Sequence, residues 1–297
     1  MLNKRILNIN GIHTEIYQTK PEPEVKYHIV ILPGNPGIAL YYQNLTRSIS
    51  QNTNLSLNIS IISYANFTES KPTRLYSIQE EADHKIACLQ HLKKESLYDA
   101  KFILIGHSIG AWICYKILQV PELYTSIEKA FLLFPFLAQH NKLSQQKYVR
   151  LISQNYILSS FTKFCFTCLQ TIPANWKKNL LSPILKDFDE ESKVHTINFF
   201  TKFPHIIKSV LYMAKTEFES LSSDLDLDFI KTKASKLQFI YNETDHWAPL
   251  EQANIIKTQI PDAQVEILQG VDHAFCVYKK DSELIGKWIA GYIDNLK

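Results

Sequence analysis

Lys101-Phe102-Ile103-Leu104-Ile105-Gly106-His107-Ser108-Ile109-Gly110-Ala111-Trp112-Ile113-Cys114-Tyr115-Lys116 reads as an apolar strand that runs through a glycine-bounded turn directly into a helix-forming run. A continuous apolar segment of this kind suits a strand covered on both faces. Gly106 and Gly110 bracket Ser108 in a G-x-S-x-G motif. In that setting a sharp strand-to-helix turn strains the serine backbone and presents its hydroxyl, while the missing Cβ atoms let strand and helix approach. The chain holds only 8 glycines in 297 residues, where an average share of about 7% would give roughly twenty. Four of them sit in two short motifs, this one and Pro33-Gly34-Asn35-Pro36-Gly37. Clustered glycine in a glycine-poor chain marks backbone that other residues cannot adopt.

On either side of this turn the same rhythm repeats. Segments 5–10 and 12–18 alternate apolar and polar around Asn10-Gly11, the signal of a hairpin, and 27–32 (Tyr-His-Ile-Val-Ile-Leu) is a second buried-strand run. A helix is predicted near 38–50, a strand near 57–63, a helix near 77–96, a helix over 109–119 and a strand over 129–134. After residue 236 the alternation resumes, with strands at 237–241 and 264–268 and helices near 249–259 and 282–295. Such βαβ repetition predicts an α/β fold with a mainly parallel central sheet and helices on both faces. Between 136 and 234 the pattern is helical and rich in aromatics, broken at Pro173, Pro183 and Pro204. The predicted organisation is therefore a core of 1–135 and 236–297 split by a helical cap over 136–235.

A serine hydroxyl is a poor nucleophile without a base and an acid that orients it. In the α/β-hydrolase arrangement the three follow in the order Ser, Asp or Glu, His, each at the carboxyl end of a strand. The loop after 237–241, Asn242-Glu243-Thr244-Asp245-His246-Trp247, offers Asp245 as the acid, and the loop after 264–268, Gln269-Gly270-Val271-Asp272-His273, offers His273 as the base. With 10 histidines in the chain, His273 is picked out by its loop and not by rarity. His246 is a rival base, Glu243 and Asp272 are rival acids, and His107 is expected to pack or hydrogen-bond beneath the turn. The Pro33–Gly37 loop follows the first buried strand, where this arrangement supplies one backbone donor to an oxyanion hole. The expected donors are the N–H groups of Asn35 and Ile109; the bland reading of the loop is a tight turn.

Together the Pro-Gly-Asn-Pro-Gly loop, the Tyr41-Tyr42 pair behind it and Gly-His-Ser-Ile-Gly resemble the lipid droplet-associated hydrolase family, a branch of the α/β-hydrolases. The resemblance covers about 27–135 and 236–295, and it implies Ser108, Asp245 and His273 as a triad, association with neutral-lipid droplets, and hydrolysis of lipid or sterol esters. The helical insertion matches the family in place and character. Phe161, Phe164, Phe166, Leu169, Trp176, Phe199, Phe200 and Phe203 lie in it, interleaved with Lys163, Lys177, Lys178 and Lys202. Two readings stand: these rings meet acyl chains or a lipid surface, or they form the cap's own core.

Composition narrows the alternatives. With 45% hydrophobic and 21% charged residues and a net charge of +3 spread along the chain, neither disorder nor a nucleic-acid-binding arm is expected. The five cysteines are read as packed free thiols in a reducing compartment, including the Cys165-x-x-Cys168 pair, which lacks a second pair at zinc-like spacing. Residues 1–10 have no apolar segment of the signal-peptide kind, and no run of 18 or more apolar residues occurs. The expectation is a cytoplasmic protein, peripheral on droplets or membranes, that needs neither metal nor cofactor. The function expected is a serine esterase of lipid-type carboxylic esters acting through an acyl-enzyme. An acyltransferase with the same residues and a non-catalytic lipid-droplet adaptor are the rivals.

Overall fold

The computed structural model describes residues 2–22, 24–95, 100–203 and 205–296. Among these residues eight strands form one sheet: β1 (Asn3–Ile9), β2 (Ile12–Gln18), β3 (Tyr27–Leu32), β4 (Leu57–Ile62), β5 (Lys101–His107), β6 (Ile127–Leu133), β7 (Leu237–Asn242) and β8 (Gln264–Leu268). Their spatial order is β1-β2-β4-β3-β5-β6-β7-β8. Only the β1–β2 hairpin and its β2–β4 junction are antiparallel; every pairing from β4 to β8 is parallel. The hairpin turns at Asn10 and Gly11, both at positive φ, as the sequence predicted.

The helices are α1 (Gln43–Asn52), α2 (Ile78–Glu95), α3 (Ile109–Leu118), α4 (Pro121–Tyr124), α5 (Ser144–Gln154), α6 (Tyr156–Thr171), α7 (Ala174–Leu181), α8 (Glu190–Lys202), α9 (Ile206–Ser220), α10 (Leu227–Lys233), α11 (Leu250–Gln259) and α12 (Lys279–Asp294). Successive residues of β3 and β5 point to opposite faces yet are buried alike, so the sheet is covered on both sides. One cover pairs α1 with α12, the other α2 with α3. The contact of α1 with α12 is close enough that a Cβ at Gly286 would lie 2.5 Å from Ser48 Cβ. At the start of α2, Ser77 Oγ receives the Glu80 N–H and the Glu80 carboxylate receives the Ser77 N–H, a reciprocal cap. The expected helix ran to residue 96, which lies outside the described residues.

The chain leaves the sheet at Leu133 and re-enters at Leu237, and the helices between them divide in two. α9 and α10 bury Ile206, Met213, Phe218, Phe229 and Ile230 in the same apolar core as the sheet. α5, α6 and α7 are mostly half-buried or exposed. Pro183 follows α7 and Pro173 separates α6 from α7; Pro204 lies outside the described residues.

The cysteine reading needs correction at one pair. Cys88, Cys114 and Cys276 are buried, but Cys165 and Cys168 are exposed on α6. Apolar neighbours in sequence predict packing, whereas Ser159 is the one residue of α6 that is buried. Helical periodicity reports an apolar face and not what lies against it.

Candidate active site

All the expected residues lie at the carboxyl end of the parallel strands, where open α/β sheets bind their ligands. β5 ends at His107 and α3 begins at Ile109, so Ser108 alone makes the turn, with φ 52° and ψ −119°. This left-handed conformation costs a residue with a Cβ about 1–3 kcal/mol and persists where the surroundings enforce it. Those surroundings need the glycines: a Cβ on Gly110 would stand 2.2 Å from the Leu32 carbonyl oxygen, and one on Gly106 would stand 2.6 Å from the Gly110 oxygen. Both obstacles are backbone. Gly110→Ala is therefore expected to destabilise the protein by about 1–3 kcal/mol and to displace the loop after β3, read as a lower urea midpoint with weaker serine labelling.

The structure brings Ser108, His273 and Asp245 into one hydrogen-bonded chain. Ser108 Oγ lies 3.1 Å from His273 Nε2, and His273 Nδ1 lies 2.7 Å from Asp245 Oδ2 and 3.0 Å from Oδ1. The carboxylate is buried and is held in turn by the N–H groups of Trp247 (2.6 Å) and Ala248 (3.0 Å). Since a carboxylate accepts only, Nδ1 carries the proton and Nε2 is free to take one from the serine hydroxyl. Asn242 ties the two loops together, its amide donating to the Val271 carbonyl across 2.5 Å.

The rival residues are elsewhere. His246 and Glu243 are exposed, with Glu243 bonded to Gln269, and the exposed Asp272 caps the Ala274 N–H at 2.7 Å. His107 lies buried beneath the turn, as expected. Its Nε2 is 2.9 Å from the His273 carbonyl oxygen and its Nδ1 is 2.7 Å from the Tyr42 hydroxyl. The carbonyl requires Nε2–H, so Nδ1 accepts the Tyr42 proton, and the Tyr42 oxygen accepts the Gly34 N–H at 2.8 Å. Burial pushes the His107 pKa well below 6.5, which keeps this network neutral. One chain of hydrogen bonds thus joins the loop after β3, the Ser108 turn and the His273 loop.

Ile109 follows Ser108 as the first residue of α3, and Asn35 lines the same cavity as Ser108. Neither backbone N–H has a hydrogen-bond partner among the described residues, so both are available to an incoming acceptor. A cavity of about 460 Å³ opens beside Asn35, with Ser108 and His273 in its wall, within the range of small-molecule sites. Its remaining surface is mostly apolar: Phe136 and Trp247 from the sheet side, Val149 from α5, Phe188 before α8, Phe200 from α8 and Val210 from α9.

Two contributors were not legible beforehand. Tyr42 stands in the Tyr41-Tyr42 pair, and the sequence assigns it no role of its own. Glu217, on α9, lines the cavity and receives the Asn35 side-chain N–H at 2.9 Å. The signal available for Glu217 was its place on the apolar stripe Val210, Met213, Ala214, Glu217 at i, i+3, i+4, i+7, where a carboxylate is out of keeping.

The cap aromatics divide between the two readings. Phe166 packs on Phe200 with ring centroids 5.8 Å apart, and Phe199, Phe200 and Phe203 pack against the core. Phe161, Phe164 and Trp176 are 63%, 65% and 71% exposed. The side chain of Lys178 lies outside the described residues.

A family model described as lipid-droplet associated hydrolase matches residues 25–276. Proteins named lipid droplet-associated hydrolase from Dictyostelium discoideum and Gallus gallus are 26% and 28% identical to this chain, over 93% and 88% of it and 92% and 83% of themselves. Among solved structures, an esterase from Thermogutta terrifontis superposes with a TM-score of 0.65 at 12% identity over 99% of both chains. An epoxide hydrolase from Vigna radiata gives 0.67 at 16% identity over 98% of both. These establish the α/β-hydrolase fold.

Proposed function

The chain belongs to the lipid-droplet associated hydrolase family, and from that premise we propose that it is a serine hydrolase of carboxylic esters with apolar acyl chains, working at a lipid surface through an acyl-enzyme. The observation that supports the chemistry is the hydrogen-bonded Ser108–His273–Asp245 chain on the wall of an apolar cavity. Ser108 Oγ attacks the ester carbonyl carbon while its proton passes to His273 Nε2. The carbonyl oxygen becomes an oxyanion held by the Asn35 and Ile109 N–H groups. His273 then gives its proton to the departing alkoxide oxygen, which leaves as alcohol and an ester on Ser108. Water, deprotonated by His273, attacks that ester and releases the carboxylic acid with Ser108 restored. Asp245 keeps Nδ1 protonated and stabilises the transient imidazolium. An alcohol entering in place of water would make the same intermediate an acyl donor, so product analysis with a competing alcohol separates hydrolysis from transfer. The chemistry itself is tested by a chain-length series of nitrophenyl esters, where kcat/KM rises with acyl length as the cavity fills and then levels; no turnover at any length rejects the proposal.

What favours a lipid surface as partner is the outer face of the cap. Ile157, Phe161, Phe164 and Cys168 follow one another at i, i+4, i+7 and i+11 along α6 and all are exposed, and Tyr156 beside them is 82% exposed. No helix among the described residues is long and apolar enough to cross a membrane, so this face suits lying on a lipid layer. Each aromatic ring buries about 150–250 Å², so two entering an interface contribute several kcal/mol at roughly 25 cal/mol/Å². Phe161→Ser with Phe164→Ser is expected to lose flotation with lipid droplets while keeping its melting temperature and its rate on a short soluble ester. Phe166→Ser, which removes packing on Phe200, is expected to melt earlier. Unchanged flotation of the Phe161/Phe164 double variant would count against a lipid-docking role for α6.

A further inference from the structure

Glu217 and Asn35 form a pair whose hydrogen bonds do not close unless one more proton is present. The Asn35 side-chain nitrogen donates to Glu217 Oε1 at 2.9 Å and to the Val210 carbonyl oxygen at 3.3 Å. The Val210 carbonyl accepts only, so it fixes which end of the amide is nitrogen. That leaves Asn35 Oδ1 buried without a partner. It also leaves Glu217, only 4% exposed, with a second oxygen that meets no donor among the described residues, in a cavity whose described lining contains no lysine or arginine. A carboxylate without a charge partner and an orphaned amide oxygen are each costly to bury.

We propose that Glu217 is a positioning residue: as a neutral carboxylic acid it donates its O–H to Asn35 Oδ1 while accepting from the Asn35 nitrogen, and this two-way pair clamps the loop after β3 to α9. The inference rests on the proposed hydrolase reading, because the clamped residue is Asn35, which that reading makes an oxyanion donor. Neighbouring Gly34 is held independently by the Tyr42 hydroxyl, so the loop has two ties, and only the second bond of the tie at Asn35 depends on a proton.

The surroundings keep that proton in place. Burial raises the Glu217 pKa to about 8, with the Asn35 contact acting against it. The groups that face the same space are Tyr41, Tyr42, His107, His273 and Cys276 around the cavity, with Tyr64 packed behind. Burial pushes the Tyr42 and Tyr64 phenols far up and the Cys276 thiol up to about 12, and pushes His107 down. None of these four offers a positive charge to a Glu217 carboxylate at neutral pH.

The experiment compares wild type with Glu217→Gln and Glu217→Met on nitrophenyl octanoate from about pH 6 to pH 9.5, alongside thermal melts from about pH 4.5 to pH 9. Wild-type kcat/KM is expected to fall above about pH 8 with a single ionisation. Glutamine supplies the same acceptor and a donor that cannot ionise, so its variant is expected to lose the alkaline fall and to stay within about threefold of wild type near neutrality. Methionine fills the space without the pair, and kcat is expected to drop about tenfold or more at every pH with KM little changed. The melts carry an independent sign. The folded state keeps a proton that the unfolded chain loses above the ordinary carboxyl pKa of 4.5, so wild type loses stability relative to Glu217→Gln as pH rises from there to about 8 and no further beyond it. An alkaline fall that survives in Glu217→Gln, a melting difference that is flat with pH, or a methionine variant as active as the glutamine one overturns the proposal. If wild type hydrolyses no ester, the hydrolase reading fails, and the pH dependence of the melts alone decides whether the pair exists.

Discussion

Ser108→Ala is expected to lower kcat on nitrophenyl esters by about 10⁴- to 10⁶-fold, leaving the residual rate that binding and oxyanion donors supply on their own. The turn itself survives, because the close strand-to-helix packing that Gly106 and Gly110 allow holds it and alanine adopts the backbone about as well as serine. Melting temperature is therefore expected to stay close to that of wild type. In parallel, a fluorophosphonate probe is expected to label Ser108 and no other serine, since among the described serines it combines a histidine nitrogen 3.1 Å away with a place on the cavity wall, whereas Ser60, 2.9 Å from His28 Nε2, is buried away from it. Peptide mapping reads the site directly. Labelling that persists in Ser108→Ala would place the nucleophile elsewhere.

The second large effect concerns the base. In His273→Ala the contact from His107 survives, because His107 binds the backbone oxygen of residue 273 and not its ring, so the loop keeps its place while the proton acceptor is lost. A fall in kcat of about 10⁴-fold or more is expected. Asp245→Asn is expected to cost about 10²- to 10⁴-fold. The N–H groups of Trp247 and Ala248 both aim at Asp245 Oδ1, so an asparagine keeps its oxygen there and turns its NH₂ toward His273 Nδ1. That forces the proton onto Nε2, where it cannot receive another from Ser108. His246→Ala is expected to stay within about twofold, since its exposed ring is bound to none of these groups. Exchange of the outcomes between the two histidine variants would reverse the assignment of the base.

Much of this arrangement was legible in the chain because its signals are local. The buried strands announce themselves as runs such as Tyr27–Leu32 and Lys101–Ile105, and the turn at Ser108 as two glycines at fixed offsets, since a Cβ at Gly110 would strike the Leu32 carbonyl. The order of Ser108, Asp245 and His273 along the chain follows from the order of the strands, and a parallel sheet delivers all three loops to one edge. What the tertiary structure decided is everything that depends on distance across the sheet or on what covers a helix. Asp245 stood against Glu243 and His273 against His246 until the loop backbone turned one member of each pair inward and left the other exposed. The cap aromatics divided into Phe166, packed on Phe200, and Phe161 and Phe164, facing outward. Cys165 and Cys168 went with the outward group, because a periodic apolar face looks the same in sequence whether protein or open space lies against it. Glu217 shows the same limit: a carboxylate on an apolar stripe marks the position, but its meaning comes from Asn35, 182 positions away, and the local pattern of neither segment names the partner.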